Sequence, residues 1–389
     1  MFEKLAADSS GRERAWALAG LAGIQSDPNR SVSLARQALT LDPNLATAAN
    51  SLANSESSLG HYEAGFQALK RTIALLERPD HGGLSEKFFA VYRHTAVANF
   101  DSNTGDYLGC QREELKGAEV AQDPRLRDFA LSQAAFCAAL LHEGAAALRM
   151  IGGQDDVTLT KTSLARGLGW GEINRLVSRD LKDWNATLTD VRAITTYLRR
   201  VDPLRFEAAI HERFDPGQVE ALGMLSRLEE ARAVAAGMPS DCYWCATARA
   251  GLADASGDYR RADHLWAQAI RMAPSLVSAY EWRAAWLLRR PDFLAATAAA
   301  REAVKVGPRN ADAWEDWGEA LAGRGDFSGA VRKYQEASLH APRWGHLNLR
   351  WGEALARLGR KDEARAHFTA AAGMDLSAAD RAELAAQKS

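Results

Sequence analysis

The chain has 389 residues, 47% apolar and 25% charged, and a net charge of -2, the balance of an ordinary folded protein with ample material for a core. That near-neutral balance excludes association driven by phosphate neutralisation, so neither nucleic acid nor an anionic membrane surface is expected as a partner. No stretch approaches the ~18 apolar residues of a membrane span, and Met1 to Gly11 has no apolar run flanked by basic residues, so the expected compartment is the cytoplasm.

Alanine is abundant, Val-Ile-Thr runs are few, and apolar residues recur at spacings of three and four, which predicts an all-α fold. In chain order, residues 1–150 read as helical repeats. Ala35, Ala38 and Pro43 close a first unit, and Gly60-His61-Tyr62-Glu63-Ala64 and Gly105-Asp106-Tyr107 read as turns between two helices. Residues 151–216 read as an irregular helical segment that interrupts the repeats. It opens with Gly152-Gly153 and a polar stretch to Thr162, then shows helical patches around Leu176 and Tyr197. Gly167-Leu168-Gly169-Trp170-Gly171 lacks the preceding strand of a dinucleotide fingerprint and reads as a break between repeat blocks. Leu198-Arg199-Arg200 before Val201-Asp202-Pro203 reads as a helix end, where positive charge suits the dipole.

Residues 217–376 read as regular repeats, beginning with Leu225-Ser226-Arg227-Leu228-Glu229-Glu230-Ala231-Arg232, which parallels Leu358 to Arg365. Cys242-Tyr243-Trp244-Cys245 has neither the two further ligands of a zinc site nor the βαβ context of a redox pair, and four cysteines are too few for a disulfide framework. It reads as two small buried thiols at a helix start; no metal and no cofactor are expected. From here the internal register is plain. Pro274, Pro308 and Pro342 are 34 residues apart, and so are Ala262, Ala296, Ala330 and Ala364; Trp266, Ala300, Tyr334 and Phe368; Ala269, Ala303, Ala337 and Ala371; and Ala250, Ala284, Gly318 and Gly352. Thirty-four residues hold two helices and two short turns. A small residue at Gly318 lets the helices approach, Tyr334 fills the space between hairpins, Gly325-Asp326 makes the turn and Pro342 follows the second helix. Ser377-Ala378-Ala379-Asp380 resembles a capping box and opens a short terminal helix over 377–389, the cap that a solenoid needs.

The unit Asp312 to Pro342 resembles the tetratricopeptide repeat, through Trp314, Gly318, Leu321, Ala330, Tyr334, Ala337 and Pro342. The following unit matches with Trp351, Gly352, Leu355, Ala364, Phe368 and Ala371 but has Leu376 in place of proline, and the two preceding units carry Ala250 and Ala284 instead of glycine. The resemblance implies a right-handed superhelix whose first helices line a concave face. It places Asn50, Asn54 and Asn99 in an N-terminal groove, where asparagine amides would hold the backbone of an extended peptide. It places Glu281, Glu315, Glu319 and Glu353 in a mainly acidic C-terminal groove, with Asp312 and Arg350 nearby, suited to a basic or mixed-charge segment. Trp266, Trp314, Trp317 and Trp351 read as core; Trp282 and Trp286, off the repeat columns, also read first as packing.

The expected function is a non-catalytic scaffold that binds a protein or peptide partner in the concave face. Two alternatives stand beside it. Asp241 to Cys245, Arg343 to Leu347 and Trp351 to Leu355 resemble repeat regions found behind output domains in some bacterial signalling regulators, which would make the chain a sensory or regulatory subunit. An enzyme would use polar residues of the irregular segment, Asp155, Asp156, Glu172, Asp180 and Asp183. The histidines His340, His346 and His367 form no recognisable catalytic motif. Self-association is compatible with the first two readings.

Overall fold

A computed structural model describes residues 2–25, 27–84, 86–151, 173, 175–201, 207 and 210–387. The glycine-rich stretches at 152–153 and 167–171 lie outside these residues, as do Asp155, Asp156 and Glu172. Among the described residues there is no strand. The helices are α1 (Phe2–Asp8), α2 (Gly11–Ile24), α3 (Pro28–Leu41), α4 (Ala46–Ser58), α5 (Tyr62–Leu76), α6 (Glu86–Thr104), α7 (Tyr107–Val120), α8 (Pro124–Leu140) and α9 (Gly144–Met150). A helical stretch at 175–180 precedes α10 (Trp184–Val201). Then follow α11 (Asp215–Met224), α12 (Leu228–Gly237), α13 (Tyr243–Ala255), α14 (Tyr259–Met272), α15 (Ser278–Arg289), α16 (Phe293–Val306), α17 (Ala311–Gly323), α18 (Phe327–His340), α19 (Gly345–Arg357), α20 (Lys361–Ala372) and α21 (Ala378–Ala386). The chain is an all-α solenoid of antiparallel hairpins.

Among the described residues, one turn repeats nine times. In each, the residue that opens the second helix donates its N–H to a carbonyl five residues back: His61 to Glu56, Asp106 to Asp101, Glu143 to Ala138, Asp183 to Ser178, Arg227 to Leu222, Asp258 to Ala253, Asp292 to Leu287, Asp326 to Leu321 and Arg360 to Leu355, at 2.8–3.1 Å. This is the bond that ends a helix when the residue before the donor turns left-handed. Gly60, Gly105, Gly257, Gly325 and Gly359 supply that conformation, and so do His142, Lys182 and Ser226, with φ between 57° and 84°; before Asp292 the position is held by Pro291, with φ of 26°. Where the donor is aspartate, its carboxylate also accepts from a backbone N–H three residues on, as Asp326 does from Gly329 at 2.8 Å, and so caps the second helix.

The second helices bury a stripe of small and aromatic residues. On α14, Ala262, Trp266 and Ala269 are buried; on α18, Ala330, Tyr334 and Ala337. Trp266 is 1% exposed, and burying a ring of that size contributes about 4 kcal/mol before its entropy is counted. The small residues that face these rings are sterically required. A Cβ on Gly318 would lie 2.4 Å from the Tyr334 ring, and one on Gly352 would lie 2.5 Å from Phe368.

Early hairpins also pack on late ones, 203 to 230 residues away. Glu63 accepts from the backbone and hydroxyl of Ser275 at 3.0 and 2.9 Å, Asp106 pairs with Arg309 at 2.9 Å, and Asp375 accepts from the Ala145 N–H at 2.9 Å. Apolar contacts follow the same order. Phe66 joins the cluster of Tyr243 and Leu276, and Leu141 joins that of Trp344 and Leu347. The hairpin turns of the N-terminal half thus seat on the inter-repeat loops of the C-terminal half.

Candidate functional site

The inner face of α15, α17 and α19 carries the acidic residues that the sequence assigns to a groove, and the fold brings them to two adjoining places. The first is the interior where the early hairpins dock. Glu281, Glu315 and Asp316 are 9%, 5% and 6% exposed. The chain's own cations approach them. Arg179, from the 175–180 stretch, donates through Nε to both oxygens of Glu220 at 2.9 and 3.1 Å and lies 5.2 Å over the Trp282 ring. His142, at the left-handed turn position between α8 and α9, bonds Asp180 through Nδ1 and Asp312 through Nε2, the latter at 3.1 Å, and stacks on Trp344 with ring centroids 3.7 Å apart. Burial alone would lower its pKa, but the charges of Asp180 and Asp312 win and push it up to about 10. Burial pushes the Glu281 carboxyl far up, as do the charges of Asp312 and Glu220, against Arg179 and His142.

The second place is a cleft of about 490 Å³ formed by the C-terminal halves of α15, α17 and α19, the start of α16, helix α18 and the end of α21. Its apolar lining includes Leu288, Phe293 and Phe327; its polar lining includes Glu319, Arg350 and Glu353. Arg350 reaches Glu353 at 2.8 Å and holds both oxygens of Glu383 at 2.9 Å. Burial and contact with Glu383 raise the Glu353 carboxyl to about 7 against the pull of Arg350. Arg350 Nε and Glu353 Oε1 are buried with no hydrogen-bond partner. The cleft thus joins apolar walls to one donor and one acceptor that make no hydrogen bond, Arg350 Nε lying 3.3 Å from Glu319 in an ion pair.

Between the two places stands His346, the second residue of α19 and one turn before Arg350. Its Nδ1 lies 3.0 Å from Asp380 on α21, and its Nε2 lies 3.7 Å from Glu315 and 3.6 Å from Glu319. The sequence offered His346 only as one of three histidines that form no catalytic motif, although the spacing held a signal: Asp312, His346 and Asp380 are 34 residues apart and occupy one column of the repeat. The terminal helix does more than cap. Ser377 accepts from the Asp380 N–H at 3.0 Å, as the capping motif predicts, and the same turn directs Asp380 inward to His346.

The asparagines lie apart from this centre. Asn50 and Asn99 are half-buried and Asn54 is exposed, on α4 and α6. The backbone carbonyls of Asn54 and Asn99 accept from Ser58 and Asn103, at 2.8 Å each. Of the polar residues of the irregular segment, Asp180 is taken by His142 and Asp183 caps α10 by accepting from Ala186 at 3.0 Å. Trp282 and Trp286 are partly buried against Ala250, Ala253 and Trp266. The cysteines correct the reading as thiols: Cys242 is bonded to Cys245 at the start of α13, and Cys110 to Cys137 across α7 and α8. Both are local links between residues already adjacent, so the spacing of the four gave no framework to read.

No protein-family model and no curated relative matches the chain. Among solved structures, it is similar to yeast Tom70, with 12% identity over 96% of this chain and 94% of that one, at a TM-score of 0.44. It is also similar to a MamA RS-1 ArsTM double mutant, with 20% identity over 42% of this chain and 95% of that one, at 0.33. MamA AMB-1 follows, with 18% identity over 43% and 99%, at 0.31. Among the described residues, no helix is long and apolar enough to cross a membrane.

Proposed function

We propose that this chain is a non-catalytic scaffold that holds a mixed-charge segment of a partner protein in the cleft of α15 to α21. The observation that carries the reading is the pair of buried atoms without a hydrogen-bond partner, Arg350 Nε and Glu353 Oε1, in a cleft whose apolar walls include Leu288, Phe293 and Phe327. A backbone amide of a bound segment offers both complements at once, one carbonyl for the arginine and one N–H for the glutamate. An apolar side chain of the segment would enter between the two phenylalanines. The half of the acidic face nearer His142 is covered by the chain's own residues, which directs a partner to the cleft end. The free side-chain amides of Asn50, Asn54 and Asn99 form a second, weaker candidate contact.

The test is selection of peptides from a random phage-displayed library on the full chain, repeated on Leu288→Arg and on the double variant Asn54→Ala, Asn99→Ala. Enriched mixed-charge peptides that lose binding to Leu288→Arg and keep it on the asparagine variant place the site in the cleft. The reverse pattern moves it to the N-terminal helices. Failure to enrich any peptide on a folded wild-type chain ends the scaffold reading.

A further inference from the structure

Glu315 and Glu319 are one helical turn apart on α17 and therefore share a face. His346 sits opposite them on α19, and one donor atom from each of the three lies within 4.8 Å of the others. The separations of 3.7 and 3.6 Å from His346 Nε2 to the two carboxylates are too long for hydrogen bonds. They are close to the spacing of donors that share an ion: ligand atoms about 2.0–2.1 Å from a tetrahedral centre stand about 3.3–3.4 Å apart.

The orientation of the imidazole is fixed from behind. Asp380 lies 3.0 Å from Nδ1 and accepts its proton, which directs Nε2 toward Glu315 and Glu319. A carboxylate behind the imidazole and an open nitrogen in front is the arrangement that prepares histidine as a metal ligand. Glu315 gives the second, independent observation. It is 5% exposed, and its Oε1, the atom that faces Nε2, is buried with no hydrogen-bond partner. Leaving such an oxygen unsatisfied is costly, and a cation would satisfy it.

Fixed cations stand at the edge of the cluster: Lys182 lies 4.0 Å from Asp380 and Arg350 3.3 Å from Glu319. Arg350 is already shared with Glu353 and Glu383. Glu319 also lines the cleft, so the cluster borders open space on that side.

We propose that Glu315, Glu319 and His346 bind a divalent transition-metal ion, with Asp380 as the positioning residue that holds the imidazole. One imidazole with two carboxylates suits Zn²⁺, and also Mn²⁺ and Fe²⁺. The inference goes beyond the scaffold reading and does not depend on it.

The experiment uses the full chain stripped with chelator and titrated with Co²⁺, followed by its visible absorption, and with Zn²⁺ by calorimetry. One ion per chain is expected. His346→Gln and Glu315→Gln should abolish stoichiometric binding. Asp380→Asn should weaken it about 10- to 100-fold, the usual effect of removing a supporting carboxylate. His367→Gln, on α20 outside the cluster, should bind as wild type does. X-ray absorption of the Zn²⁺-loaded wild type should show imidazole and carboxylate ligands at about 2.0–2.1 Å, and this readout stands even where a variant fails to fold. Absence of a stoichiometric ion in the wild type, binding unchanged in His346→Gln and Glu315→Gln, or an absorption spectrum without imidazole would each overturn the proposal. No peptide is present in these measurements, so their failure leaves the cleft selection untouched, and the converse holds.

Discussion

From Asp258 to Arg360 the residue that closes each hairpin turn recurs every 34 positions, whereas from His61 to Arg227 it recurs after 45, 37, 40 and 44. The turn is the same in both regions, down to the bond five residues back. Helix length is what differs: α6 has 19 residues and α17 has 13. Six extra residues are more than one and a half turns, so the face that meets the neighbour rotates and the packing residues change column. In the regular region each aromatic ring falls on the small residue in the same place. In the variable region, a hairpin of the same topology is packed by residues without a fixed address.

Small residues allow the two regions to be compared site by site, although tight glycines occur in both: a Cβ on Gly65 of α5 would lie 2.9 Å from the Ala53 carbonyl oxygen. Gly318→Leu drives a side chain into the Tyr334 ring, which its Cβ alone already meets at 2.4 Å, in a wall shared with the cleft. The expected cost is about 3 kcal/mol, read as a fall in the denaturation midpoint. In the variable region, a Cβ on Gly117 of α7 meets nothing closer than His94 Cβ at 3.4 Å. Gly117→Ala should therefore be tolerated, and helps the helix by roughly 0.5–1 kcal/mol. Equal losses at the two sites would show that the variable region is packed as tightly as the regular one.

What the sequence disclosed follows this division. The columns at Ala262, Trp266 and Ala269 announced α14 and its successors, because a strict step prints the packing directly into the sequence. Gly60 and Gly105 announced two turns of the variable region, since glycine is the usual occupant of the left-handed position. His142 and Lys182 hold that same position without glycine's mark, so their turns were not legible, whereas Ser226 was placed by its parallel with Gly359. Glu315 and Glu319 were legible as one face of a helix. That His142 and Arg179 would come to lie over that face was not, because contacts made across more than a hundred residues leave no local pattern.

His142 joins the two regions, and it supplies the next effect in size. His142→Gln removes a cation held between Asp180 and Asp312 in a largely buried place, and should cost about 2 to 3 kcal/mol. The pH dependence gives the sign. The folded pKa, about 10, lies above the unfolded value near 6.5. The contribution is therefore fully present below about pH 6.5 and is lost as pH rises through about 10. Wild-type stability should fall along that limb, and the His142→Gln variant should show a flatter one. A wild-type profile that instead rises from pH 7 to pH 9 would mean that the histidine is neutral in the fold and that the joint between the regions is held by packing alone.

The smallest expected effect is the most direct test that the turns are equivalent. Ser226 in the variable step and Gly359 in the regular one have φ of 57° and 77°, and close the same bond, Arg227 to Leu222 at 2.9 Å and Arg360 to Leu355 at 3.0 Å. Ser226 is exposed, and a Cβ on Gly359 would meet nothing within 4 Å, so packing changes at neither site. Only backbone preference remains. A serine held left-handed is strained, and glycine relieves that strain at the cost of a more flexible unfolded chain. Strain outweighs chain flexibility at such positions, so Ser226→Gly should stabilise by roughly 0.5–1 kcal/mol and Gly359→Ser should destabilise by a similar amount. Urea denaturation of both variants measures the two changes on one scale. Opposite signs would establish that one turn serves both regions and that the serine is tolerated rather than required. A loss of stability in Ser226→Gly would show that the hydroxyl or the reduced freedom of serine matters there, and that the variable region builds its turn by a different balance of forces.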